Sequence, residues 1–181
     1  MESQLSQRWP QPSLAWWAIR EQNKRAQLTL SVNLTQQFGD KWDSVDMKTT
    51  REQAAAYILR ATSTRQHLTD NDKEDRDALL DVLNFFDRLG TVVQSGAIDE
   101  HFVWNEFFPT VQMYWRGAEP LVKDWRTEQN RRLYLEDVEY LSKTLADYEK
   151  KQLTSCNLPN TACPSQEKVR DYLRNETELL S

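Results

Sequence analysis

With 181 residues, a net charge of −5, and 39% hydrophobic against 28% charged residues, the chain can bury a core without disulfide staples or a structural metal. The acidic balance argues against a nucleic-acid role, because phosphate binding draws on counterion release by clustered Lys and Arg. Four Gly, six Pro and no sustained apolar–polar alternation exclude a sheet and predict an all-α protein, an antiparallel bundle of about five to six helices.

Residues 1–12 read as a flexible arm, with Trp9 beside Pro10 and Pro12, ahead of a single helical domain at 13–181. The first helix runs from a Ser13 cap to Phe38, where Gly39 is expected to close it as a C′ glycine. Leu30, Leu34 and Phe38 form its stripe. Trp16 and Trp17 sit about 100° apart on the helix, so one buried face cannot absorb both. Together with Trp9 they are the candidate partner-binding residues, since Trp is enriched at interface hot spots.

A second helix is predicted from Ser44 or Asp46 to Ala61, packing through Ala54, Ala55, Tyr57, Ile58 and Ala61, with a polar loop at 62–71. The third, from about Asp72, carries Leu79, Leu83, Phe86, Gly90 and Val93 at steps of four and three. A glycine on that stripe predicts close approach of another helix. After a break at Gly96, Asp99 caps a fourth helix with Val103, Trp104, Phe107, Phe108, Val111, Tyr114 and Trp115. Pro109 removes the bond to the Asn105 carbonyl, which predicts a kink or break. A fifth helix is expected from Glu119–Pro120. Its polar stretch at 126–132 is either a projecting section or a short break, before the stripe resumes through Tyr134, Val138, Leu141, Leu145 and Tyr148. A last helix, Ser165 to Leu180, turns Val169, Tyr172 and Leu173 inward.

The chemistry-bearing residues assemble no catalytic site. The two histidines, His67 and His101, have no Glu three positions before them, which excludes the paired Glu-x-x-His of a carboxylate di-iron bundle. The glycines at 39, 90, 96 and 117 make no phosphate loop, and Asp77, Asp81, Asp137 and Glu139 show no spacing that marks a magnesium site. No cofactor and no metal is expected, and the chain reads as non-catalytic with the enzyme question left open. Cys156 and Cys163 flank six residues and form either a small bridged loop or two reduced thiols. Arg88, Arg116 and Arg126, near Asn84 in the apolar block, are the candidate clamp. Either Arg88 or Arg126 pairs internally with a carboxylate such as Glu106 or Glu139, or the arginines hold a small anion or a peptide carboxylate.

The block from Leu79 to Arg126 resembles a family of small bacterial helical proteins catalogued as a domain of unknown function. The likeness rests on Asn84-Phe85-Phe86-Asp87-Arg88-Leu89-Gly90, on the connection Gly96–Glu100, on Tyr114-Trp115, and on Leu133-Tyr134 through Tyr140-Leu141. It covers roughly residues 25–150 and implies a fold rather than a reaction. Many such relatives carry an N-terminal membrane helix. Here the longest apolar runs, such as Leu14 to Ile19, fall far short of the ~20 residues that span a bilayer. The first residues carry Glu2 and no signal-peptide pattern, so no membrane insertion and a cytoplasmic location are expected. Two functions follow: an interaction module that binds a protein partner or a second copy as a homo-oligomer, or a small bacterial effector or defence accessory acting on nucleic acid or nucleotides.

Overall fold

The computed structural model describes residues 14–64, 73–156 and 164–179. It is all-α, with six helices among the described residues: α1 Leu14–Trp42, α2 Val45–Thr64, α3 Lys73–Gln94, α4 Glu100–Glu128, α5 Glu136–Ser155 and α6 Gln166–Glu176. Helices α2, α3, α5, α4 and α6 close a ring in that order, each packing on the next, while α1 leans on α4 and α2. The apolar stripes of α3 and α4 meet inside the ring. There Leu79, Leu83, Phe86, Phe107, Val111 and Tyr114 are essentially inaccessible to solvent. Trp42, at the end of α1, seals this core, with its ring 5.1 Å from Phe86 and 5.2 Å from Phe85.

Local chemistry sets the helix boundaries. The Ser44 hydroxyl accepts the Met47 amide at the start of α2. The Asp99 carboxylate accepts the His101 amide at 2.8 Å, and the Ser165 hydroxyl accepts the Lys168 amide, each satisfying a donor that the first helical turn leaves open. Gly96, at φ +73°, ends α3. Its amide reaches the Val93 carbonyl and the Ala97 amide reaches that of Val92, the paired bonds of a Schellman turn. Asn130, at φ +50°, ends α4 with the same two bonds, from Asn130 to Thr127 and from Arg131 to Arg126.

Three expected boundaries are corrected. Gly39 does not close α1, which runs on to Trp42. Pro109 neither breaks α4 nor leaves a separate helix to begin at Glu119–Pro120, because α4 is continuous through both prolines. Pro109, Pro120, Asn105 and Arg116 are all exposed. The carbonyls freed by the two prolines, at Asn105 and Arg116, therefore lie on the solvent side, where water satisfies them. Of the two readings of the polar stretch at 126–132, the break holds, although α4 runs on to Glu128 before it and α5 starts at Glu136. The segment 1–13 and the span 65–72 lie outside the described residues.

Helices α3 and α5 come closest at Gly90. A Cβ built there would sit 2.2 Å from the Asp137 carbonyl oxygen. The same approach brings the Asp87 carboxylate to the Val138 amide at 3.3 Å. Burial, and next the charge of Asp137, push the Asp87 carboxyl above its ordinary range. A carboxyl raised in this way stabilises the fold fully only below its unfolded pKa, and that contribution is lost as pH rises through the raised value. Asp87→Asn removes the charge while keeping an acceptor for Val138. Thermal melts should show the variant more stable than the parent at pH 7, with the difference shrinking as pH falls toward about 4. A gap that widens on acidification would contradict this assignment.

Candidate partner-binding helix

The first half of α1 is exposed, although Lys24, Gln27 and Leu28 line a cleft with Ile98, Tyr140 and Tyr148 of the bundle. Every residue from Ala15 to Leu30 is exposed, and burial begins at Ser31, whose hydroxyl donates to the Ala97 carbonyl at 3.0 Å. By helix rise, the exposed stretch extends about 24 Å. It carries Trp16, Trp17, Ile19, Leu28 and Leu30, each roughly half exposed, with Trp17 at 55% and Ile19 at 58%. The two indoles meet edge to face at 5.5 Å, and the Arg20 guanidinium lies 5.3 Å from the Trp16 ring. Leu34 and Phe38 of the predicted stripe pack on the core, but Leu30 does not. Trp9 lies outside the described residues.

The three candidate arginines are not brought together. Arg126 is committed internally. Its Nε donates to the Tyr134 carbonyl at 2.8 Å, Nη1 to Glu139 at 2.9 Å and Nη2 to the Leu135 carbonyl. It holds the α4–α5 turn, including Leu135 at φ +57°. The hydrogen bonds from Lys143 and then Arg126 lower the Glu139 carboxyl below its ordinary range. Arg116 is exposed on α4, ten residues and about 15 Å of helix before Arg126. Arg88 lines a different feature, a cleft of about 460 Å³ between α1, α2 and α3 that also contains Asn84.

Two polar clusters lie elsewhere. His101, in the first turn of α4, hydrogen-bonds Tyr148 through Nδ1 at 2.9 Å and Asn105 through Nε2 at 3.2 Å. The neighbouring Trp104 donates to the buried Glu149. Both ring nitrogens of His101 are thus engaged, and Ser, Thr and Cys nucleophiles are absent from these contacts. His67 and Cys163 lie outside the described residues, and Cys156 is exposed at the end of α5. Among the described residues no group of His, Cys, Asp and Glu could hold a metal ion, and no helix is long and apolar enough to cross a membrane.

The second cluster is a buried ion pair that the sequence reading missed. Arg51 of α2 donates to both carboxylate oxygens of Glu176 at 2.8 Å, and Tyr114 of α4 donates to Glu176 Oε2 at 2.8 Å. The guanidinium lies 4.2 Å from the Trp42 ring. Burial alone would lower the Arg51 guanidinium, yet the hydrogen bond and charge of Glu176 outweigh it and hold it above its ordinary value. Burial, then the Glu176 charge, pushes the Tyr114 and Tyr172 phenols up. A signal was present in the sequence. Arg51 shares a stripe with Ala54, Ala55 and Ile58, and Glu176 shares one with Val169 and Leu173. A charge in an apolar stripe on each of two helices marks a buried pair.

The arrangement therefore positions its polar groups for structure and leaves two tryptophans, Trp16 and Trp17, exposed on α1. A family model described as Domain of unknown function (DUF4760) matches residues 13–145, from the start of α1 into α5. The chain belongs to this family. The matched span contains the exposed half of α1 and the α3–α4 core, while Arg51's partner Glu176 lies beyond it. No curated protein and no solved structure matches the chain.

Proposed function

We propose that the chain is a non-catalytic interaction module whose exposed α1 segment docks a protein, the occupant being a second copy of itself. The observation that carries this reading is the exposure of Trp17, Ile19, Leu28 and Leu30 along one projecting helix. A helix of this length without packing is marginal in water, and covering its apolar side chains stabilises it.

Charge favours a second copy. Residues 15–30 contain Arg20, Lys24 and Arg25 against one acid, Glu21, while the whole chain is at −5. The segment is thus basic and the remainder acidic. Beside the packed half of α1, the carboxylates of Asp40, Asp43 and Glu106 surround Phe102 and Val32 in one shallow cleft. None of these three makes a hydrogen bond or ion pair through its carboxylate among the described residues. An α1 helix from another molecule, laid antiparallel, sets its basic residues against those acids. A two-fold axis then makes the contact twice. This reading keeps the cytoplasmic location expected from the sequence.

Light scattering on the concentrated protein should give twice the monomer mass of 21.4 kDa. Changing Trp17, Ile19 and Leu28 together to Ser should return the mass to the monomer while helicity is retained. A wild-type protein that stays monomeric at every concentration, or a variant that still associates, rules out self-docking through α1. A second reading, nucleic acid, draws support from one observation, the placement of Arg20, Lys24 and Arg25 beside Trp16 and Trp17. Tight, salt-sensitive binding of a labelled oligonucleotide would favour it.

A further inference from the structure

We infer that the cleft between α1, α2 and α3 is a binding site for a short apolar peptide with free ends, two or three residues long. The cleft is floored by apolar groups: Phe38 meets Phe85 edge to face at 5.5 Å, and Met47 is buried beside them. Its rim carries two cations, Lys41 and Arg88, and two carboxylates, Asp46 and Asp81. Opposite charges around one cleft ordinarily pair with each other, as Arg126 and Glu139 do. Here the four charged groups make no ion pair and no side-chain hydrogen bond among the described residues, so both signs are available to a ligand.

A simple anion leaves the two aspartates uncompensated, and a simple cation leaves Lys41 and Arg88 uncompensated. A zwitterion satisfies both. Its length follows from α3. Asp81, Asn84 and Arg88 fall on one face at steps of three and four, so the anchors at the two ends lie about 10 Å apart along the axis. An extended peptide advances ~3.3–3.6 Å per residue, so two to three residues span that distance. The volume of about 460 Å³ accommodates such a ligand with its side chains on the phenylalanine floor. The peptide carboxylate is held by Arg88 and Lys41, its ammonium by Asp81, and Asn84 hydrogen-bonds the backbone between them.

The test is calorimetry of the full chain with the tripeptide Phe-Ala-Leu, its N-acetyl form and its C-terminal amide. The free peptide should bind, and each blocked form should bind about tenfold weaker or worse, the loss of one charged hydrogen-bonding end. Arg88→Gln should reduce the preference for the free carboxylate over the amide, the double variant Lys41→Gln with Arg88→Gln should abolish it, and both should leave the preference for the free amine. Asp81→Asn should abolish the preference for the free amine over the N-acetyl form and leave the preference for the free carboxylate. All three positions are exposed, and circular dichroism confirms that each variant is folded. Equal binding of the three peptides, no binding by any of them, or intact discrimination in Arg88→Gln would each overturn the proposal.

Discussion

Gly90→Ala should destabilise the protein by ~1–3 kcal/mol, the range for an overpacked core, although in most helices the same change stabilises by about 1 kcal/mol. The sign reverses because of what the new methyl meets. Its position is 2.2 Å from the carbonyl oxygen and 2.8 Å from the carbonyl carbon of Asp137. Both are backbone atoms in the first turn of α5, so no side-chain rotation relieves the clash, and α5 must move off α3. Gly39 supplies the control. It too is helical, but a Cβ there would lie 3.7 Å from a Glu106 oxygen, an ordinary contact. Gly39→Ala should therefore stabilise by about 1 kcal/mol. Urea titration of the two variants gives opposite shifts in midpoint. Equal shifts in the same direction would show that the α3–α5 contact at Gly90 is not tight.

Glu176→Ala should cost ~3–5 kcal/mol, the usual loss when one partner of a buried ion pair is removed. Arg51 and Glu176 have side chains only 8% and 6% exposed. Without the carboxylate, Arg51 retains the Trp42 face and carbonyl but loses its charge partner, and the Tyr114 hydroxyl loses its best acceptor. Helix α6 has only eleven residues, so the system can escape the penalty by releasing α6 and wetting Arg51. The change should then appear first as rapid proteolysis or hydrogen exchange in α6, ahead of global unfolding. The double replacement Arg51→Met with Glu176→Leu should recover most of the loss, because apolar side chains of similar volume need no counter-charge. If Glu176→Ala melts like the parent and α6 stays protected, the pair does not anchor α6.

The sequence disclosed those parts of the fold that depend on local pattern. The α3 stripe, Asp99 as a cap, Gly96 as a stop and Gly90 as a point of close approach all follow from periodicity and backbone freedom, and the structure has each of them. It disclosed less where an outcome depends on what lies opposite. Pro109 and Pro120 are tolerated because their freed carbonyls face water, and no rule of spacing says which side of a helix will be wet. Leu30 continues the stripe of Leu34 and Phe38, yet it is exposed, since periodicity gives the apolar face and not where the covering bundle ends. Arg88 and Arg126 are both arginines near the apolar block. One is locked by three acceptors in a turn and the other opens onto a cleft, a difference fixed by tertiary placement alone. The Arg51–Glu176 pair joins residues 125 positions apart, and only the packing of α6 on α2 makes it visible.

Hydrogen exchange of the α1 amides as a function of protein concentration tests the docking reading most directly. In a lone molecule every residue from Ala15 to Leu30 is exposed and none is buried in the core, so the stretch should exchange quickly, as a marginal helix does. Once two copies cover each other's α1, protection should rise in that stretch, and around Asp40, Asp43 and Glu106, while the α3 and α4 core stays constant. Exchange in residues 15–30 that does not change from dilute to concentrated protein would contradict self-docking.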